Sequence, residues 1–93
     1  MGKYSVVVEK AAQKELQAHY KSGDKVSIKR IEIIFEELSE HPQTGTGKPE
    51  QLKFGLSGYW SRKINKKDRL IYQINENIIT VFVISAVGHY SDK

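Results

Sequence analysis

Cysteine is absent from the 93 residues, which excludes disulfides, thiol nucleophiles and every zinc site that needs a thiolate. That lack fits a reducing compartment, and the expected address is the cytoplasm. No run of about 18 apolar residues occurs, so nothing in the chain reads as a membrane-spanning helix. The N-terminus lacks the charged-then-apolar layout of a secretory leader, and Val6 stands where a myristoylation signal after Met-Gly needs Ser or Thr. A membrane partner is not expected. With 93 residues, 39% of them apolar or aromatic, the chain has material for one modest core, and a single domain over residues 1–93 is expected. Collagen-like and largely disordered chains are excluded by the same composition.

What the chain does have is charge, unevenly placed. It carries 15 basic and 11 acidic residues, a net +4. Residues 1–47 balance, whereas Lys48 to Arg69 holds seven basic residues against two acidic ones. Phe54, Tyr59, Trp60 and Tyr72 lie within or beside that stretch. Cations interleaved with aromatics suit a polyanion offering phosphates and stackable bases, which makes Lys48, Lys53, Arg62, Lys66 and Lys67 candidate RNA contacts. From charge alone, a solvated basic sheet edge that deters strand pairing is an equal reading.

Tyr4 to Val8 is a short β-branched run, and Glu9 opens a helix-forming stretch that ends near Gly23. Asp24 can cap a second helix, in which Ile28, Ile31, Ile34, Phe35 and Leu38 recur at helical spacing until Pro42 forbids continuation. The short connection predicts an antiparallel helical hairpin whose apolar stripes need a third surface. After a loop at residues 41–49 come β-type runs at Gly58 to Asn65, Arg69 to Ile74 and Ile78 to Val87, and a weaker one at Glu50 to Lys53. These predict an antiparallel meander, with the nearly continuous apolar run from Ile78 as a central strand covered on both faces.

The turn between Asn65 and Arg69 decides which residues share a face, because side chains alternate along a strand. A two-residue turn at Lys66 and Lys67 sets Lys63 against Leu70. A three-residue turn, Lys66 to Asp68, pairs Ile64 with Leu70 and Trp60 with Ile74, and puts Lys63 and Arg69 together on the other face. The second arrangement gives one apolar face for the helices and one face on which any chemistry belongs.

Gly45-Thr-Gly-Lys48 has the look of a phosphate loop, but Pro42 and Pro49 occupy the positions where a Walker A loop needs Gly and Ser or Thr. His19, His41 and His89 fall in separate elements without ligand spacing, so neither a metal nor another cofactor is expected. What remains is Glu50, Arg62, Lys63, Arg69, His89 and Tyr90. Breaking an RNA backbone without metal needs a base for the 2′-OH proton, an acid for the departing 5′ oxygen, and cations over the phosphate. These side chains can supply all three. Each alone also has a plain structural reading: Glu50 as a loop charge, Arg69 as a strand-edge gatekeeper, His89 and Tyr90 as a polar chain end.

Gly47-Lys-Pro-Glu-Gln-Leu-Lys53, Leu56-Ser-Gly-Tyr-Trp-Ser-Arg62, Asp68-Arg-Leu-Ile-Tyr72 and His89-Tyr90, in this order and spacing, closely resemble the YoeB branch of the RelE/ParE toxin superfamily. The likeness is strong over residues 45–90 and weaker over 4–44. It implies a RelE-like α+β domain: an N-terminal strand and two-helix hairpin packed on a twisted, mainly antiparallel sheet. It also implies the toxin of a type II toxin-antitoxin pair, a ribosome-dependent endoribonuclease that cuts messenger RNA and is masked by an acidic, partly disordered, YefM-like antitoxin. Carried over by position, Glu50 is the general base, His89 the general acid, Arg69 a cation on the phosphate, and Tyr90 a phosphate-orienting or stacking group. Lys63 stands where such toxins usually have arginine, with Arg62 beside it as a partial substitute. Ala86-Val87-Gly88 replaces the usual arginine and aromatic residue before the final pair. The rival of another class is a ParE-like gyrase inhibitor, or an inactive binding module, on the same fold.

Overall fold

The computed structural model describes residues 3–52 and 58–86. In chain order the elements are β1 (Ser5–Val8), α1 (Lys10–Ser22), α2 (Lys25–Glu40), β2 (Glu50–Gln51), β3 (Tyr59–Lys63), β4 (Arg69–Asn75) and β5 (Thr80–Ser85). The α1 helix stops at Gly23, whose φ of 80° is the left-handed conformation that lets the chain turn straight into the next helix. Asp24 then caps α2 as expected: its carboxylate accepts from the Ser27 amide at 3.2 Å and from the Ser27 hydroxyl at 2.8 Å. The helix ends at the residue before His41, since Pro42 disfavours helical backbone at its predecessor.

The five strands form one sheet in the order β1-β5-β4-β3-β2, with β1 parallel to β5 and every other pair antiparallel. Ala12 and Leu16 of α1 and Ile31, Ile34 and Leu38 of α2 pack against Leu70, Tyr72, Val81 and Val83 on one sheet face. This is the α+β arrangement implied by the resemblance.

The β3–β4 register departs from the expected one. Lys63 pairs with Arg69, Arg62 with Leu70 and Trp60 with Tyr72, so the connection takes residues 64–68 instead of Lys66 to Asp68. Asn65 is the cause. Its side-chain carbonyl accepts from the amides of Lys67 and Asp68 at 2.9 and 2.8 Å, a local turn that outcompetes further ladder pairing. The slip is two residues, so side chains keep their faces.

The run from Ile78 also forms a shorter strand than expected. Asn75 accepts from the amides of Asn77 and Ile78, Ile79 takes a φ of 49°, and β5 begins only at Thr80. It does lie inside the sheet, but it is not covered equally: Val81 and Val83 are buried, while Phe82 and Ile84 are only half-buried. Of the run Glu50 to Lys53, Glu50–Gln51 is strand, and Lys53 lies outside the described residues.

Candidate functional site

Residues directly opposite in an antiparallel pair point to the same face. Glu50 is opposite Ser61, Ser61 is opposite Ile71, and Lys63 is opposite Arg69, so these side chains share the face turned away from the helices. The short Ser61 side chain lies between β2 and β4, and over it the Glu50 carboxylate comes within 4.0 Å of Arg69 Nη1. Glu50 is largely solvent-facing, with its side chain 71% exposed, whereas Arg69 is 34% exposed. Lys63 is exposed beside them. Below this charged rim, Ser61 and Ile71 are buried at 2% and 1% exposure, a packed floor outside the helix-facing core. Acid, guanidinium and ammonium thus project from three adjacent strands, which fixes their spacing better than a loop could.

Lys66 and Lys67 lie exposed at the tip of the β3–β4 turn, and Lys48 lies exposed just ahead of β2. Lys53, His89 and Tyr90 fall outside the described residues.

Arg62 is not with them. It points to the helix side, is 0% exposed, and cannot meet a polyanion or stand in for Lys63. Its Nε–H donates to the Tyr72 hydroxyl at 3.1 Å. Its Nη1 donates to Glu37 Oε1 at 2.6 Å and to the Thr46 carbonyl at 3.2 Å, and its Nη2 to the carbonyls of His41 and Thr44 at 3.2 and 2.7 Å. Burial pushes the Glu37 carboxyl up, but the Thr46 amide, Arg62 and the Thr46 hydroxyl together bring it below its ordinary value. Burial raises Tyr72, with Arg62 opposing. Tyr72 and Trp60 also leave the list of base-stacking candidates, since Tyr72 is fully buried and Trp60 packs on the core; Tyr59 remains half-buried on the charged face. Parity carried the warning, because Arg62 has the same parity as Trp60 and Tyr72.

Two α1 residues have a role that the sequence does not suggest. The Ala86 amide donates to Glu15 Oε1 at 2.7 Å, and His19 Nε2 lies 2.7 Å from the Ala86 carbonyl. A carbonyl only accepts, so His19 carries its proton on Nε2 there. They hold the exit of β5, ahead of His89 in sequence. The available signal was His19 falling on the stripe of Ala12 and Leu16. Among the described residues, no group of three His, Asp or Glu side chains is placed to hold a metal ion, and no helix is long and apolar enough to cross a membrane.

Comparison with known proteins agrees with this architecture. The family described as YoeB-like toxin of bacterial type II toxin-antitoxin systems matches residues 10–90. Toxin YoeB of Synechocystis is 41% identical over 85 residues, covering 87% of this chain and 96% of that one. A solved YoeB/ParE toxin from Agrobacterium tumefaciens superposes with a TM-score of 0.80 at 27% identity, covering 92% and 99% of the two chains. A YoeB-YefM complex from Staphylococcus aureus contains a chain with a TM-score of 0.74 at 28% identity, covering 95% and 99%. With the motifs around Glu50, Arg69 and Tyr72 carried on the expected strands, the chain belongs to the YoeB-like toxins of bacterial type II toxin-antitoxin systems.

Proposed function

We propose that this toxin is a ribosome-dependent messenger RNA endonuclease in which Glu50 is the general base. The observation that carries the reading is the approach of Glu50 to within 4.0 Å of Arg69, with Lys63 opposite Arg69, on the sheet face turned away from α1 and α2. Glu50 takes the proton from the 2′-OH, and O2′ attacks phosphorus as the bond to O5′ breaks. His89 gives O5′ its proton, leaving a 2′,3′-cyclic phosphate and a 5′-hydroxyl. Arg69 and Lys63 stabilise the charge that builds on the non-bridging oxygens, and Tyr90 orients the phosphate or stacks on a base. An exposed ion pair such as Glu50–Arg69 is weak, so an incoming phosphate can take Arg69 over and leave the carboxylate free to act as a base.

Lys48, Lys66 and Lys67 flank this centre as contacts to the RNA backbone, a role that Lys53 shares by its place in the sequence. The protein partner is an acidic antitoxin of the YefM kind that masks the same face. The S. aureus relative solved with YefM supports that partner.

Expressing the chain alone should arrest bacterial growth, and primer extension should find cut messages with 5′-hydroxyl ends, a result that EDTA leaves unchanged provided ribosomes stay intact. Glu50→Gln should lose roughly 10² to 10⁴ in cleavage rate while binding ribosomes at least as well. Arrest with intact messages and altered DNA supercoiling would replace this reading with gyrase inhibition.

A further inference from the structure

We propose that Arg62 is the positioning residue for Glu50, fixing the 41–49 segment from inside the fold and thereby setting where the carboxylate stands relative to Arg69 and Lys63. The inference rests on the reading of Glu50 as base.

A guanidinium has five N–H donors in a rigid planar fork, and every one of them here has its own acceptor: the Tyr72 hydroxyl, Glu37, and the carbonyls of His41, Thr44 and Thr46. Tyr72 extends the set, donating to the Pro42 carbonyl at 2.7 Å. The backbone from 41 to 46 is therefore tied, carbonyl by carbonyl, to two side chains of β3 and β4. Glu37 closes the arrangement from α2 by accepting from the Thr46 amide at 2.7 Å and the Thr46 hydroxyl at 3.0 Å.

Downstream of Thr46 the chain remains tied to β3. The Gly47 carbonyl accepts from the Lys63 amide at 2.8 Å, and Lys48 adopts a φ of 51°, a conformation that a non-glycine residue keeps only where its surroundings dictate it. Two residues later Glu50 enters its pairing with Ser61, the neighbour of Arg62 itself. The path from Arg62 through the loop to Glu50 thus returns to the residue next to Arg62. A shift at either end is delivered to the other.

Stability alone is a poor reason for this arrangement. A buried charge is costly to desolvate, and apolar residues of similar volume often serve a core as well. What the guanidinium provides, and an apolar side chain cannot, is a fixed geometry for several carbonyls at once. Lysine would not replace it, because an ammonium is a single point on a flexible stem.

Three measurements on the full chain test the inference: turnover, exchange and a double substitution. Arg62→Lys should lower kcat about 10²-fold, the scale of a 1 Å misplacement of a reacting group, with KM changed less than about threefold. Amide exchange, which needs no activity, should speed up by about tenfold or more at Thr46 and Lys63 while β4 and β5 stay protected. In a Glu50→Gln background Arg62→Lys should cost little more, because the group it positions has gone; a purely structural role would make the two losses multiply. If Arg62→Lys does not fold, Tyr72→Phe, which deletes two links, the bond from Arg62 Nε–H and the bond to the Pro42 carbonyl, at nearly constant volume, carries the same measurements with a loss of several-fold. Unchanged kcat in a folded variant, or multiplying losses, overturns the positioning role. If Glu50→Gln cleaves at the parent rate, the base assignment fails, and the exchange rates at Thr46 and Lys63 then decide by themselves whether Arg62 sets this segment.

Discussion

Lys63 and Arg69 face each other across two strands, yet they offer different things to a phosphate. Arg69 carries a planar fork that can contact two oxygens at once; Lys63 carries a point charge. Lys63→Arg should therefore hold or raise the cleavage rate, since the exposed position has room for the longer head and the substitution adds bidentate reach. Arg69→Ala should do the opposite, losing rate with little change in melting temperature, because its pairing with the well-exposed Glu50 is a weak surface contact. Single-turnover cleavage beside a thermal melt separates the two effects. A large fall in melting temperature for Arg69→Ala would show that Arg69 is a structural residue, and a lower rate for Lys63→Arg would remove Lys63 from phosphate contact.

At the scale of elements, the segment from 41 to 49 does more than connect. Gly47 has a φ of 84°, and a Cβ there would stand 2.7 Å from the Lys63 carbonyl oxygen. Gly47→Ala should accordingly force loop and strand apart, lowering both melting temperature and cleavage, whereas the same change at Gly23, whose left-handed turn has open space around it, should lower stability alone. Equal cleavage losses from both would mean that the close approach at Gly47 has no special bearing on the site. The sequence foretold many of these elements from local chemistry: the Asp24 cap, the stop at Pro42, the apolar stripe of Ile31, Ile34 and Leu38. It also foretold the faces of β3 and β4, because a two-residue slip preserves parity. It did not foretell the slip, since a turn made by the Asn65 side chain competes with the ladder on nearly even terms. Arg62 was misjudged for a different reason. Charge in a sequence advertises solvent, and only the fold reveals that Glu37, nine residues before Thr46, returns as its partner. Lys63 and Arg69 were legible as a pair because strand alternation is a strict rule, whereas Glu50 joined them through the chemistry of the cleavage and the resemblance, and its pairing with Ser61 appears only in the fold. His89, Tyr90 and Lys53 lie outside the described residues, so their parts stand as proposals.

For the molecule as a whole, the Arg62–Glu37 pair couples stability to pH. It joins β3, α2 and the 41–49 segment across the edge of the core. The Glu37 carboxyl sits below its ordinary value in the folded chain, burial being outweighed by the bonds from Thr46 and Arg62. A carboxyl depressed on folding adds stability that is fully present above its unfolded pKa, about 4.3, and that disappears as pH falls through the folded value. Glu37→Gln should thus weaken the protein at pH 7 by about 1–3 kcal/mol, because Arg62 loses its charged partner while staying buried. As pH drops below about 4.3 the unfolded parent takes up a proton at Glu37 while the folded carboxyl is still charged, so the gap between the two proteins should narrow, and go on narrowing until the folded carboxyl is protonated as well. Asp24, lowered chiefly by the Ser27 hydroxyl, contributes with the same sign in both proteins and cancels in the comparison. Urea unfolding of parent and Glu37→Gln at pH 7, 5 and 3 measures this directly. A gap that stays constant from pH 7 to pH 3 would show that Glu37 titrates alike in the folded and unfolded chains, and that its bonds to Arg62 and Thr46 add nothing to acid sensitivity.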